Sequence, residues 1–262
     1  MSAGLLLNTT ICFAIAIICL TFAAVITRNK SLWNDRTKPS LRALISLWSL
    51  VAITYLFTAF RMIAAYANNT ELDMSVYYVA AIPFAFISVP LAYILMYILT
   101  GNKQTSRFIG LIFSIFGLAY LMLLFSQGVM EPRVSYWSSL ITVNSDIAIN
   151  IYLTGLFILP TAMILGIMTL IFLRKVSKKQ LYHTTLLLVS ISFVIDFMLV
   201  DMITNIDVMQ LAARIFVLIG SILAYLSYFP PLTLQERLGI EEKHYEPYDE
   251  MDEFDPEVDV NA

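Results

Sequence analysis

Seven long apolar segments constrain the fold of this chain more than any other feature of its sequence. A helix needs about 20 residues to cross a hydrocarbon core of about 30 Å, and every segment reaches that length. The segments are continuously apolar and do not alternate, which favours helices over the strands of a membrane barrel. They cover residues 5–27, 41–66, 76–99, 108–127, 147–173, 181–203 and 207–229.

The composition also indicates a chain that lies in lipid. Hydrophobic residues make up 59% of its 262 residues and charged residues 13%, whereas soluble domains hold roughly a quarter charged residues. The first segment is too long for a cleaved signal peptide and lacks the basic start of one. We therefore predict an all-α, multi-pass protein of the cell membrane with seven transmembrane helices.

The basic residues predict the orientation of these helices. If the N-terminus lies outside, the cytoplasmic segments hold 13 of the 16 Lys and Arg residues. The positive-inside rule favours that arrangement, so we expect a cytoplasmic C-terminus. The 13 residues are Arg28, Lys30, Arg36, Lys38, Arg42, Lys103, Arg107, Arg174, Lys175, Lys178, Lys179, Arg237 and Lys243; the other three are Arg61, Arg133 and Arg214.

The chain divides into three parts. Residues 1–229 form the predicted transmembrane domain, and two successive prolines end its last helix. Residues 230–240 are predicted to lie on the inner leaflet. Residues 241–262 carry ten Asp or Glu against a single Lys, so we expect a disordered acidic tail. Two roles remain open for this tail, a solvated segment or a docking peptide for a protein partner.

One connection on the expected outer side, residues 128–146, is long. Its sequence "SYWSSLITV" is rich in β-favouring residues, which predicts a small hairpin or cap with Trp137 at the membrane interface. The interpretation that we favour for this connection is an interfacial loop without a role in binding a ligand.

Four ionisable residues fall inside the apolar segments: Arg61 in the second, Asp196 and Asp201 in the sixth, and Arg214 in the seventh. Such residues are costly in lipid and are candidates for a functional site. The turn between the last two segments centres near Asn205. Asp196 precedes it by nine residues and Arg214 follows it by nine, which places both at one depth and predicts an ion pair between them. Arg61, at a similar depth, is expected to join them or to meet Asp201.

Two interpretations of these charges remain open. The first, which we favour, is a structural clasp that holds the sixth helix against the seventh. The second is an outward-facing polar pocket that the same charges line together with five tyrosines. These tyrosines are Tyr55, Tyr66, Tyr77, Tyr78 and Tyr152.

The sequence argues against an enzyme. His183 and His244 are the only histidines, too few for a three-histidine catalytic zinc site, and there is no nucleophile motif or phosphate loop. Cys12 and Cys19, both in the first segment, are expected to be buried apolar thiols. We predict no metal and no cofactor. The inner half holds no further carboxylate for a proton relay, so a pump is not expected.

The seven helices, the outside N-terminus and the small size resemble the microbial rhodopsins. No lysine lies within the predicted spans, so this resemblance does not extend to covalent retinal. The segment "RIFVLIGSILAYLSYFPPLTLQERLGI", residues 214–240, resembles the end of the seven-helix sensor domains that precede prokaryotic histidine kinases. That resemblance implies a sensor whose last helix leads to cytoplasmic signalling elements.

The function expected from the sequence is a stand-alone receptor-like or sensor-like membrane protein. Its predicted partners are the lipid bilayer and a protein bound through the inner loops and acidic tail, with no role for nucleic acid. One alternative is a small-solute transporter or channel with hinges at Pro83, Pro90 and Pro160. The other is a non-catalytic membrane scaffold or assembly subunit.

Overall fold

The computed structural model describes residues 3–29, 33, 37–144, 147–173 and 178–231. This part of the chain forms eight helices and one two-stranded hairpin, β1–β2. In chain order the elements are α1 (Ala3–Arg28), α2 (Lys38–Tyr66), α3 (Thr70–Phe86), α4 (Ser88–Thr100), α5 (Lys103–Gln127), β1 (Arg133–Val134), β2 (Ser139–Leu140), α6 (Ile147–Leu173), α7 (Lys178–Ile203) and α8 (Asp207–Tyr228).

The predicted helical architecture is confirmed. Seven helical stretches are long and apolar enough to cross a membrane, with α3 and α4 together forming the third. The predictions for residues 232–262, which cover the acidic tail and nearly all of the juxtamembrane segment, lie outside the described residues.

Several helices begin three to six residues earlier than the apolar segments predicted. The first residues are 38, 70, 103 and 178, against predicted starts of 41, 76, 108 and 181. Hydropathy detects only the apolar part of a helix, whereas hydrogen bonding continues into its polar first turn. Asn69 and Asn102 cap two of these ends, since their side chains accept hydrogen bonds from the backbone N–H of Leu72 and Gln104.

The third span is interrupted at Ile87, between α3 and α4. The N–H of Ile87 donates to the carbonyl of Phe84 at 3.2 Å, a bond across three residues where a regular helix spans four. Pro90 explains the break, because it lacks an N–H and its ring crowds the carbonyl of Phe86. By contrast, Pro83 and Pro160 lie inside α3 and α6 without ending them.

Successive spans run in opposite directions and define two faces of the bundle. The N-terminal face, as we call it, carries the start of α1, the α2–α3 turn, the hairpin and the α7–α8 turn. The opposite face, here the basic face, carries the starts of α2 and α5 with their lysines and arginines. The candidate functional site lies toward the N-terminal face.

Apolar packing holds α1, α2 and α8 together near the basic face. Phe22 of α1 is fully buried and its ring lies 5.4 Å from that of Trp48 and 5.5 Å from that of Tyr228, measured between centroids. Cys12 and Cys19 are free and buried, as predicted. Large side chains elsewhere are exposed, such as Met122 on α5 at 73%, and these apolar surfaces are suited to contact with lipid.

Helix α5 approaches α3 closely at Gly117. A Cβ atom added there would lie 2.6 Å from the carbonyl oxygen of Ala85. That contact involves backbone, so the two helices would have to separate to accommodate it. A Cβ added at Gly166 of α6 meets no atom within 4 Å, which makes this position a matched control.

We predict that Gly117→Ala lowers the free energy of unfolding in detergent by about 1–3 kcal/mol through overpacking. Gly166→Ala should leave stability unchanged or raise it, because alanine favours the helix by up to about 1 kcal/mol over glycine. Thermal unfolding of the two purified variants measures the difference. Equal midpoints for both would contradict the close approach of α3 and α5.

Candidate functional site

The first ion pair of the site joins α2 to α3. Arg61 Nε donates to Asp73 Oδ1 at 2.9 Å, and Arg61 Nη2 donates to the carbonyl oxygen of Ser139 at 3.3 Å. The guanidinium carbon also lies 4.8 Å from the centroid of the Tyr77 ring, a cation–π distance. Asp73 is completely buried, so removal of Arg61 would leave a carboxylate without a counter-charge in a low-dielectric environment.

The second ion pair joins α7 to α8. Arg214 Nε lies 3.0 and 3.1 Å from the two carboxylate oxygens of Asp201. Gln210, one turn before Arg214 on α8, donates to the carbonyl oxygens of Asp201 and Thr204. Arg214 is 2% exposed and Asp201 is 7% exposed. This arrangement fixes the two helices beside the turn that connects them.

Two adjacent hairpin residues attach the hairpin to both ion pairs. The hydroxyl of Ser139 donates to Asp73 Oδ2. The hydroxyl of Ser138 donates to Gln210 Oε1 at 2.6 Å, and Arg214 Nη2 lies 3.5 Å from that same oxygen. Both serines are buried. The predicted hairpin is therefore present, and it contributes to the polar interior of the bundle as well as to its surface.

The hairpin also contacts α1. The carbonyl oxygen of Trp137 accepts a hydrogen bond from Asn8 Nδ2 at 2.7 Å, and Asn8 is fully buried. A Cβ atom at Gly4 would collide with the carbonyl of Tyr136, which shows how closely the loop lies on the helix. We call the network formed by the two ion pairs, Gln210, Ser138 and Ser139 the polar clasp. The hairpin connection, which packs on α1, covers it.

Arg61 of the first ion pair and both residues of the second line one small cavity of about 20 Å³, next to another cavity of about 100 Å³. The smaller has room for about one water molecule. Arg214 Nη1 and the hydroxyl of Tyr55 have no hydrogen-bond partner within the described residues. The geometry favours a tightly closed clasp over a pocket of the size that a small organic ligand fills, about 300 Å³ or more.

The predicted pairing of Asp196 with Arg214 is wrong, because Arg214 pairs with Asp201. Asp196 accepts hydrogen bonds from the hydroxyls of Thr161 at 2.7 Å and Ser192 at 3.0 Å, and so links α7 to α6. Helical side chains lean toward the N-terminus of their own helix. In antiparallel α7 and α8, the side chains of Asp201 and Arg214 therefore lean toward each other. A prediction based on equal numbers of residues on either side of the turn neglects this inclination, and so it selects Asp196.

Sequence reasoning missed Asp73, the partner of Arg61. Asp73 precedes the apolar segment that starts at residue 76, so hydropathy does not place it in the membrane. Its signal in the sequence is its depth, which is similar to that of Arg61, since Arg61 lies seven residues before Asn68 in the α2–α3 turn and Asp73 five after it. Arg61 pairs with Asp73 and not with Asp201, although Arg61 and Asp201 line the same small cavity.

The five tyrosines proposed as a pocket lining do not gather at one place. Tyr77 lines both small cavities. Tyr55 is buried in the core, while Tyr66 is half-buried at the end of α2. Tyr78 stacks on Phe125 of α5, and Tyr152 packs edge-on against Phe116. Of the five, Tyr77 contacts the polar clasp through Arg61.

Within the described residues no three His, Cys, Asp or Glu side chains are grouped so that they could hold a metal ion. The ionised groups of the clasp contact one another and neutral hydrogen-bonding groups, and all of them are buried. These contacts connect α2 with α3 and α7 with α8.

We predict that Asp201→Leu and Arg214→Leu each destabilise the protein by about 3–5 kcal/mol, because each leaves one buried charge without its partner. The double variant should be more stable than the sum of the single losses implies. Thermal unfolding in detergent, arranged as a double-mutant cycle, measures the coupling.

The control cycle combines Asp196→Leu with Arg214→Leu. Since these residues do not contact each other, their losses should add to within about 0.5 kcal/mol. A stronger coupling of Arg214 to Asp196 than to Asp201 would contradict the observed pairing.

Comparison of the chain with family models, curated proteins and solved structures gives no match. The resemblance to rhodopsins and kinase-associated sensor domains accordingly stays a prediction from the sequence.

Proposed function

We propose that this chain is a non-catalytic, receptor-like or sensor-like protein of the cell membrane that signals to a protein partner. The observation that carries the proposal is the polar clasp, which joins α2, α3, α7, α8 and the hairpin through buried charges. The N-terminal face would be extracellular. The inner loops and the acidic tail would report the signal to a cytoplasmic or membrane partner.

The clasp has the properties of a switch. A buried ion pair that loses a partner becomes strongly unfavourable, so partly open arrangements are disfavoured and the clasp is either closed or repacked. Ser138 and Ser139 are neighbours at the start of β2, and each contacts a different part of the clasp. Ser138 contacts Gln210, beside the second ion pair, and Ser139 contacts Asp73 of the first. A stimulus that lifts the hairpin would therefore loosen both pairs together.

The helices that leave the clasp can carry its state to the basic face. Helices α7 and α8 pack along each other, and Gly220 lies so close to α7 that an added Cβ would be 2.9 Å from Val194 Cγ2. Because packed helices move as rigid bodies, a change at the Asp201–Arg214 pair would displace both ends of these helices.

The orientation is tested by protease accessibility. Because the sequence assigns 13 of the 16 basic residues to the predicted cytoplasmic segments, the positive-inside rule predicts that protease added to intact cells leaves a C-terminal tag uncut. Permeabilised cells serve as the control, in which the tag should be removed. Cleavage in intact cells would reverse the proposed topology.

Transmission through the bundle is tested with spin labels at Leu99 of α4 and Ile222 of α8, both exposed. Asp201→Asn removes the negative charge of the second ion pair while nearly preserving the shape of the side chain. We predict a new population whose label-to-label distance differs from that of the unmodified protein by roughly 2 Å or more. Double electron–electron resonance in lipid nanodiscs measures it. The fully buried Cys12 and Cys19 should not take up label.

The matched control for that experiment is Glu71→Gln, an exposed carboxylate of α3 outside the clasp. It should leave the distance unchanged. If Asp201→Asn lowers stability but also leaves the distance unchanged, the clasp is static, which would favour the scaffold alternative. Solute flux through reconstituted vesicles would instead identify a transporter.

A further inference from the structure

A third, larger cavity opens at the basic face, far from the polar clasp along the bundle. Its volume is about 850 Å³, and α2, α4 and α5 form its walls. This volume falls within the range of about 300–1,000 Å³ that is usual for ligand sites. Nothing in the polar clasp or in the proposed signalling role accounts for a cavity here.

Four cations surround the mouth of this basic cavity. Lys38 and Arg42 belong to the first turns of α2, and Lys103 and Arg107 to those of α5. Each pair is spaced four residues apart, so its two side chains lie on one face of their helix. All four are exposed, and no acidic residue lines the cavity within the described part of the chain.

The backbone adds to this positive potential. The N-terminus of a helix carries a partial positive charge, and cations placed there are unfavourable while anions are favourable. Both α2 and α5 begin at the cavity, and neither has an acidic residue in its first turn. Four like charges at two helix N-termini repel one another, and a bound anion would relieve that repulsion.

Deeper in the cavity the walls are small or apolar. Ala43 and Ser46 of α2 face Gly110 and Ser114 of α5, and these short side chains leave the space between the helices open. Val89 and Pro90 of α4, next to the break in the third span, form the floor of the cavity. The cavity therefore has a charged mouth at the helix ends and a largely apolar interior at membrane depth.

We propose that this cavity binds the phosphate headgroup of an anionic phospholipid from the adjacent leaflet. Arg42 and Arg107 would hold the phosphate oxygens through paired N–H donors, and Lys38 and Lys103 would add point charges. Basic pockets between membrane helices are suited to such headgroups. The apolar interior would accept the start of an acyl chain.

Two other anions share part of this chemistry. Free phosphate matches the four cations but gains nothing from the apolar interior. The acidic tail, residues 241–262, follows α8 and offers ten carboxylates together with apolar residues such as Met251 and Phe254. Acidic residues flank both of these on each side, so inserting them into the interior would carry carboxylates to membrane depth, which is costly. The phospholipid satisfies both halves of the cavity.

The test uses the full-length protein in a neutral detergent, with native mass spectrometry to count bound molecules. The probes are dioctanoyl phosphatidylglycerol, dioctanoyl phosphatidylcholine and inorganic phosphate. We expect phosphatidylglycerol to bind at least about tenfold more tightly than phosphatidylcholine, because phosphatidylcholine carries beside the same phosphate a quaternary ammonium that the four cations repel. Inorganic phosphate should not displace it at equal concentration.

Variants locate the binding site. Arg42→Gln combined with Arg107→Gln should weaken phosphatidylglycerol binding at least about tenfold. Gly110→Leu should also weaken it by filling the cavity, and its Cβ is accommodated because the nearest atoms, of Val89, lie 3.9 Å away. The matched control is Arg133→Gln, an exposed cation on the hairpin, which should bind as the unmodified protein does. Elution as a single species shows that each variant is folded.

Three outcomes would overturn the proposal. Equal binding by the double variant and the Arg133→Gln control would place the lipid elsewhere. Full displacement by inorganic phosphate would make the site one for soluble phosphate. If the protein takes up phosphatidylglycerol only after the ten tail carboxylates are changed to amides, the occupant is the tail.

Discussion

The cost of holding charge in a low-dielectric interior governs the N-terminal half of this bundle. An isolated ion at such depth is unfavourable by several kcal/mol, so each arginine must lie where a carboxylate can reach it. Arg61 meets Asp73 and Arg214 meets Asp201. The positions of α3 relative to α2, and of α7 relative to α8, follow from those contacts, and the hairpin lies where its hydroxyls complete them.

The sequence predicts the helices well because membrane thickness sets the length of each apolar segment, and hydropathy detects segments of that length. It predicts the pairing poorly because pairing depends on side-chain direction and helix rotation. Asp196 and Asp201 differ by about 140° around α7, and only the second faces Arg214. A boundary drawn from apolar residues excludes Asp73, although its polar first turn belongs to the same helix. The β-favouring residues predict the hairpin, but nothing in the sequence indicates that Ser138 and Ser139 are buried against the ion pairs.

Charged residues are arranged differently at the two faces of the protein. Near the N-terminal face, each buried arginine has a carboxylate partner, and the cavity between the pairs is about the size of one water molecule. At the basic face, four cations border a cavity of about 850 Å³ without an acidic residue among the described lining. In the first arrangement the charges neutralise one another, whereas the second is complementary to an anion. The two ends of the bundle therefore differ in what their charges could do.

The adjacency of Ser138 and Ser139 has a consequence for how this loop can change over evolutionary time. Successive residues of an extended strand point to opposite sides, which is how one hydroxyl reaches α8 and the next reaches α3. Inserting or deleting one residue just before them would exchange those directions, as a register slip does in any sheet. Because both residues are serines, one of them would then take its neighbour's place, so one hydroxyl contact would be kept and the other lost. A change in length would therefore separate the two ion pairs from their shared attachment, whereas substitutions elsewhere in this long connection leave both contacts in place.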